Sequence, residues 1–327
     1  MSDELKGLLE RSRAPGKMVE RRRFSLSRDK AIEKMREFSL RDPSTYILEL
    51  VQAAVFAEAR WIAIDVSPER LFFAWIGGRH PTPQQLDNVF DYLFLDRADA
   101  GTRHVVQLAI GLNALLQRKP HSIAVEAGNG TVEGTARLEL GAGGAGHIGR
   151  PETAIHGTWL SVEFTKGWLS RFVGNEDLTE VKLIEAACTH CPVPILINYR
   201  APFGYRAQRE VKLKGMSGAL SFDEGGRRGA LAIPPSVAHA KEGIQIVVGG
   251  VRICSRVLPS LGLARINGSM VPLVGVICDD RIRKTADQGD IVEDGRFAEL
   301  LHAVQPHATA LIRSAPGHAG HQPPPLP

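Results

Sequence analysis

Two hydrophobic rhythms alternate along this chain. Ile47, Leu50, Val51, Ala54 and Val55 recur at i, i+3, i+4, i+7 and i+8, which predicts a helix with one buried face. Asp42 and Pro43 open it. An Asp carboxylate accepts free backbone N–H groups at an N-cap, and the N–H that proline lacks has no partner in the first turn anyway. An earlier helical pattern begins near Ser27 and runs through Ala31–Leu40. The period then drops to two. Trp61–Val66 and Arg70–Trp75 read as strands joined by Ser67-Pro68-Glu69. Thr82-Pro83-Gln84-Gln85 has the form of a capping box, and the helix it opens puts Leu86, Val89, Phe90, Leu93 and Phe94 on one face. A polar loop with Asp96, Asp99 and Gly101 leads to a further helix from Thr102 to Leu116.

Strands are expected at Ser122–Glu126, Thr135–Leu140 and Thr158–Phe164, a helix at Asp177–Thr189, and a closing strand at Pro192–Arg200. The glycine-dense run Gly141–Gly149 reads as a flexible connection between strands. From about Pro202 the texture changes to shorter strands at Ala219–Phe222, Gly229–Ile233, Gly243–Val248 and Val251–Ser255. Gly249-Gly250 between the last two is a two-residue hairpin signal, because both residues can take positive φ. Val271–Cys278 reads as one more strand and Arg296–Ile312 as a helix. The order divides the chain into a basic lead-in (1–24), a first α/β domain (25–205), a smaller α+β domain (206–313) and a Pro-rich tail (314–327). The tail closes on Pro323-Pro324-Pro325-Leu326-Pro327. It reads as an unstructured end, with docking into an aromatic groove as the alternative.

Composition narrows the class. In 327 residues, 43% are hydrophobic and 23% charged, enough apolar material for a sizeable core, which excludes a disordered chain. No apolar run reaches the ~18 residues of a membrane-spanning helix. The N-terminal stretch lacks the apolar core of a signal peptide, so no membrane partner is expected. Four cysteines do not make a disulfide framework in a chain of this length, and a reducing cytoplasm is the expected location. A net charge of +4 from 40 basic and 36 acidic residues is too balanced to argue for nucleic acid. Arg21-Arg22-Arg23 reads as part of a solvated leader, with an anionic surface partner as the alternative.

Candidate chemistry is sparse. Glu49 and Ala53 sit i, i+4 on the helix face opposite the apolar stripe. Glu49 reads either as a general base pointing into a pocket or as a solvated or salt-bridged surface residue. Cys188-Thr189-His190-Cys191 has no second Cys-x-x-Cys to complete a structural zinc site, so these are expected to be buried or half-buried free thiols at a helix end. No Lys-Ser/Thr follows the Gly141–Gly149 run, so it is not a P-loop. No Gly-x-Ser-x-Gly elbow supports a serine hydrolase.

Order along the chain changes the standing of Glu49. The helix with Glu49–Ala53 is followed by a strand pair, a Gly-Gly loop at Trp75–Arg79, another helix and the segment Gln107-Leu108-Ala109-Ile110-Gly111-Leu112. A late strand then carries Gly157-Thr158. In this order the chain resembles the GHKL superfamily of ATP-binding proteins: gyrase, the ninety-kilodalton heat-shock chaperones, histidine kinases and MutL. The chaperone branch is the nearest in pattern. Its members carry a Glu-x-x-x-Asn helix, an Asp-x-Gly-x-Gly loop, a Gly-rich segment entering a helix and a Gly-Thr strand. The likeness continues through Gly243–Cys254 and Val257–Asp294, which resemble the chaperone middle domain. The loop that carries a phosphate-sensing basic residue there falls at Arg283-Lys284. The resemblance implies a GHKL, or Bergerat-type, α/β sandwich followed by a smaller ribosomal-protein-S5-like α+β domain. It implies Glu49 as the water-activating base and Lys284 as the phosphate-facing cation. It also implies a nucleotide, ATP or ADP, bordered by Ala53, Trp75, Gly77, Gly78, Gln107, Gly111, Asn113 and Thr158.

The departures carry as much meaning as the matches. Ala53 stands where the family has the Asn that chelates magnesium, an ion that demands near-octahedral oxygen coordination. Magnesium is therefore disfavoured, and no other metal is expected. No Asp occurs in Ala74–Gly78 to accept the adenine amine, and a buried polar edge without a partner costs ~1–3 kcal/mol. Of the lid glycines only Gly111 remains nearby. A base without the metal has no clamped phosphate to act on. The expectation is a chaperone-like, degenerate ATPase acting as a nucleotide-regulated module for a protein client or regulatory partner. The alternative is a non-catalytic scaffold that has lost nucleotide binding. The third, dimer-holding domain of the chaperones is not expected, because the second domain runs straight into the Pro-rich tail.

Overall fold

A computed structural model describes residues 40, 42–95, 99–141, 146–151, 153–164, 178–198, 219–266 and 269–314, all within one compact unit. The expected helix from Ser27, the basic lead-in, the junction near residue 205 and the Pro-rich tail beyond Ser314 lie outside the described residues. The architecture is mixed α+β, in agreement with the α+β reading.

Asp42 accepts the Ser44 N–H at 2.9 Å and so caps a single 3-10 turn, Pro43–Thr45, that leads into α1 (Tyr46–Phe56). Every residue of α1 except Leu48 is buried. The pattern had predicted one buried face. Periodicity marks the most apolar side of a helix, whereas here neighbours cover the polar side as well. At its start, the Tyr46 hydroxyl donates to Glu180 at 3.2 Å, and Arg118 pairs with the same carboxylate while lying 5.6 Å above the Tyr46 ring.

β1 (Trp61–Val66) and β2 (Arg70–Ile76) form an antiparallel pair with Trp61 opposite Ile76. The capping box closes as expected. The Gln85 N–H donates to the Thr82 hydroxyl at 3.2 Å, and the Thr82 N–H donates to the Gln85 side chain at 2.9 Å. Its helix, α2 (Pro83–Asp87), is short and gives way to a 3-10 segment, Val89–Phe94. That tighter winding turns the later side chains off the expected face: Leu86, Val89 and Phe90 are buried, but Phe94 is 48% exposed. α3 (Arg103–Gln117) follows, then β3 (Ser122–Asn129), β4 (Ala136–Gly141), β5 (Gly146–Gly149) and β6 (His156–Glu163). Part of the glycine-dense run is thus a strand paired to β4 rather than a loop; residues 142–145 lie outside the described residues. After α4 (Thr179–Ala187), β7 (Ile195–Ile197) pairs parallel with β1. The first sheet has the order β5-β4-β3-β6-β2-β1-β7.

The second sheet contains β8 (Leu220–Glu224), β9 (Arg227–Ala232), β10 (Ile244–Val248), β11 (Val251–Arg256) and β14 (Val274–Asp279), in the order β11-β10-β14-β9-β8. Gly249 and Gly250 make the β10–β11 turn with φ of 56° and 76°, the doubly left-handed geometry of a type I′ hairpin. The expected single strand Val271–Cys278 is two. Pro272 ends β13 (Ser269–Pro272), which pairs with β12 (Leu263–Ile266), and Val274 starts β14. Proline has no N–H to continue a ladder. α5 (Gly295–Ser314) covers this sheet through Phe297, Leu300, Val304, Ala308 and Leu311. Phe56, at the end of α1, enters the same core.

Candidate functional site

The last turns of α1 sit against the turn and loops of the second sheet, and the fit there is close. The Gln52 amide donates to the Val248 carbonyl at 2.7 Å, and the Gly249 N–H donates to the Asp280 carboxylate at 2.7 Å. A Cβ on Gly249 would lie 3.0 Å from the Phe56 ring and 3.1 Å from the Gln52 side chain. The Arg103 guanidinium lies 4.4 Å above the Phe56 ring and donates to the Asp280 carbonyl. Residues 42–117 therefore grip the loop after β14 from two helices.

Lys284, in that loop, is the centre of the site. Its Nζ donates to the Glu49 carboxylate at 2.8 Å, to the Gln52 side-chain carbonyl, and to the Gln107 side-chain carbonyl at 3.3 Å. An ammonium has three N–H donors, and all three are engaged. The Lys284 and Glu49 side chains are 6% and 5% exposed. Burial holds the Lys284 ammonium below its usual pKa range, and the Glu49 carboxylate partly offsets this by favouring the charged form. Glu49 is salt-bridged, as one reading of the sequence had it, but inside the protein and not on its surface.

Three of the residues singled out in the sequence, Glu49, Gln107 and Lys284, are thus joined across a separation of 235 positions. Gln52 is a fourth member that sequence reasoning passed over. Its signal was a polar residue three positions after Glu49, on the same face of an otherwise apolar helix.

The other candidates are placed elsewhere and are mostly sealed. Ala53 and Trp75 are 0% exposed, Thr158 1% and Asn113 2%. The Trp75 indole N–H donates to the Arg79 carbonyl at 3.1 Å, and its ring meets Phe73 edge-to-face at 6.3 Å. Trp75 pairs with Thr158 across β2 and β6. The Thr158 hydroxyl and the Asn113 side-chain oxygen are buried with no hydrogen-bond partner. Gly111 lets α3 approach α1, since a Cβ there would stand 3.0 Å from Leu50. Gly77 and Gly78 have φ of 77° and 69° and fold onto the end of α1. A Cβ on Gly78 would be 2.1 Å from the Ala57 carbonyl oxygen, and that oxygen accepts the Arg79 N–H at 2.6 Å.

The four cysteines are free, and Cys188 and Cys191 are buried at the end of α4, as expected. Burial pushes the Cys191 thiol up to about 12, which makes it a poor metal ligand or nucleophile. Among the described residues no cluster of His, Cys, Asp and Glu is arranged to hold a metal ion, and no helix is long and apolar enough to cross a membrane. In comparisons with known proteins, no family model and no curated protein matches the chain.

Proposed function

We propose that this protein is a non-catalytic protein-binding module built on a GHKL-type frame, in which Lys284 takes the bridging role that nucleotide and magnesium have in the ATPases. The observation that carries this reading is the Lys284 ammonium bound to Glu49, Gln52 and Gln107. A general base must have a lone pair free for the proton it takes, within hydrogen-bond reach of its water. Glu49 has a carboxylate oxygen committed to an internal cation and is 4% exposed.

The residues around it do not fit the family's ligand. Ala53 offers magnesium no oxygen. Trp75, at the place of the adenine-reading Asp, is buried with its one donor already used. The Gly77-Gly78 turn is filled by the end of α1, and Leu50 occupies the space in front of Gly111. Each of these would have to move to admit a nucleotide, so no hydrolytic step is assigned to this chain.

A second reading keeps a nucleotide as regulator. Two observations favour it: the Thr158 hydroxyl and the Asn113 oxygen are buried without partners, and both stand at positions where the resemblance puts ligand contacts. One experiment separates the readings. Thermal shift and steady-state phosphate release are measured with millimolar ATP, ADP and magnesium, on the wild type and on Glu49→Gln. The scaffold reading expects no shift and no release. A ligand bound only to the folded state would add RT ln(1 + [L]/Kd), about 2.7 kcal/mol at a hundred times Kd. Magnesium-dependent release that disappears in Glu49→Gln would overturn the proposal.

A further inference from the structure

A second set of polar groups surrounds a cavity of about 670 Å³ between α2, the 3-10 segment after it and the start of α3. None of its lining residues belongs to the Lys284 cluster. Its walls are the devices that start and stop these helices. At the start of α2 the Thr82 hydroxyl oxygen accepts the Gln85 N–H, and the Gln85 side-chain carbonyl accepts the Thr82 N–H. At its end the Asn88 side-chain amide donates to the Gln84 carbonyl at 3.0 Å. Before α3, one oxygen of Asp99 accepts both the N–H and the hydroxyl of Thr102, at 2.8 and 2.7 Å. The capping groups of α2 use only part of their capacity in this way. The Thr82 hydroxyl hydrogen, the Gln85 side-chain N–H groups and the Asn88 side-chain oxygen make no hydrogen bond among the described residues. Neither do the Gln84 side chain and the Tyr92 hydroxyl, on residues that also line the cavity.

This inventory specifies an occupant. Asp91 and Asp99 line the cavity and no Lys, Arg or His does, so a phosphate or carboxylate ligand would meet like charge and no counter-ion. A polyamine would suit the carboxylates. It brings donors only, however, and would leave the Thr82 hydroxyl and the glutamine N–H groups facing donors. A hydroxyl both donates and accepts, so a neutral ligand with several hydroxyls matches free groups of both kinds. Tyr92 and Leu95 add an apolar wall on which the C–H face of a ring can lie. The volume falls within the ~300–1,000 Å³ of small-molecule sites and suits about one or two sugar rings. Thr82, Gln85 and Asn88 are already held by the bonds above, so little side-chain freedom is lost on binding. We propose that the cavity between α2 and the start of α3 binds a neutral saccharide through Gln84, Gln85, Asn88 and Tyr92.

Saturation-transfer difference NMR of the full chain tests this with glucose, galactose, mannose, N-acetylglucosamine, maltose and cellobiose, each raised to tens of millimolar. At least one of these sugars should give a saturable signal. In the double variant Gln84→Leu, Tyr92→Phe its dissociation constant should rise at least about fivefold, the loss of two neutral hydrogen bonds. Gln84 is exposed, and neither side chain makes a hydrogen bond within the described residues. The variant should therefore melt as the wild type does, which separates lost binding from lost folding. No signal from any of the sugars would overturn the inference, as would equal affinity in the wild type and the variant. So would displacement of the bound sugar by millimolar spermidine or inorganic phosphate, which would make the cavity a site for a cation or an anion.

Discussion

Replacing Lys284 with methionine tests the centre of the structure most directly. The change keeps much of the side chain's length and removes the only cation paired with Glu49 among the described residues. At 2.8 Å and an effective dielectric constant of 20, the pair attracts by about 6 kcal/mol, against several kcal/mol of desolvation for each ion. The net worth of the intact pair is therefore small. The cost of breaking it is not, because Glu49 stays 4% exposed with a charge and no partner. Losing one member of a buried pair costs about 3–5 kcal/mol, which for a unit of this size lowers the melting temperature by roughly 6–12 °C. The double variant Glu49→Gln, Lys284→Met leaves no unpaired charge and should recover most of that loss. Urea unfolding at an unchanged m-value gives the free energies, and the four-species cycle gives a coupling of about 2–3 kcal/mol. A Lys284→Met cost below about 1 kcal/mol, or single effects that simply add in the double variant, would refute the idea that Lys284 ties the loop after β14 to α1 and α3.

Two further outcomes follow from named geometry. Burial, with the nearby Arg79 charge adding to it, lowers His104 to about 4, so between pH 6.5 and 4 the unfolded chain takes up a proton that the folded chain refuses. Stability from this residue is complete above pH 6.5, falls by about 3 kcal/mol as pH drops to 4, and changes no further below that. His80 and His190 are lowered by burial too, so the comparison is with His104→Leu, whose urea midpoint should fall less steeply over that range; parallel curves would count against it. Gly78→Ala combines φ of 69° with a Cβ placed 2.1 Å from the Ala57 oxygen, whereas Gly226→Ala has φ of 74° and open space around it. The second should cost about 1–2 kcal/mol for the left-handed conformation alone and the first clearly more; equal costs by urea unfolding would contradict the packing described at the end of α1.

What the sequence made legible is what short-range physics decides. The capping box at Thr82–Gln85, the Gly249-Gly250 hairpin and the first strand pair each depend on residues no more than fifteen positions apart, and each formed as expected. Strand pairing and burial from distant segments were harder to see. Glu49 read either as a base in a pocket or as a surface residue, because its own helix places it opposite the apolar stripe and says nothing of what covers that face. Its partner Lys284 lies 235 positions away, and its neighbours Gln52 and Phe56 meet Val248 and the Gly249 turn, some 200 positions away. Gln52 carried only a local signal, its polar side chain three positions after Glu49, while the partners that give it a role are equally distant. The Val271–Cys278 run hid a break because apolarity continues across Pro272 while the hydrogen-bond ladder does not. The 3-10 segment after Asn88 differs from an α-helix by a small change in winding, too small for a five-residue apolar pattern to resolve.

On the proposed reading, an internal lysine and a bound nucleotide bridge the same two parts of the chain with different consequences. A nucleotide stabilises the bridged form in proportion to the logarithm of its concentration, so the bridge responds to supply and is released by hydrolysis. A lysine carried on the loop after β14 is always present at its partners, and nothing short of unfolding or a competing ligand removes it. A site that already holds an ammonium among one carboxylate and two amide oxygens has no charge left to neutralise. A divalent cation there would meet a like charge at close range. Magnesium is therefore expected at Glu49 only once Lys284 is removed, and calorimetric titration of the wild type and Lys284→Met with magnesium checks this; binding to the wild type would contradict it.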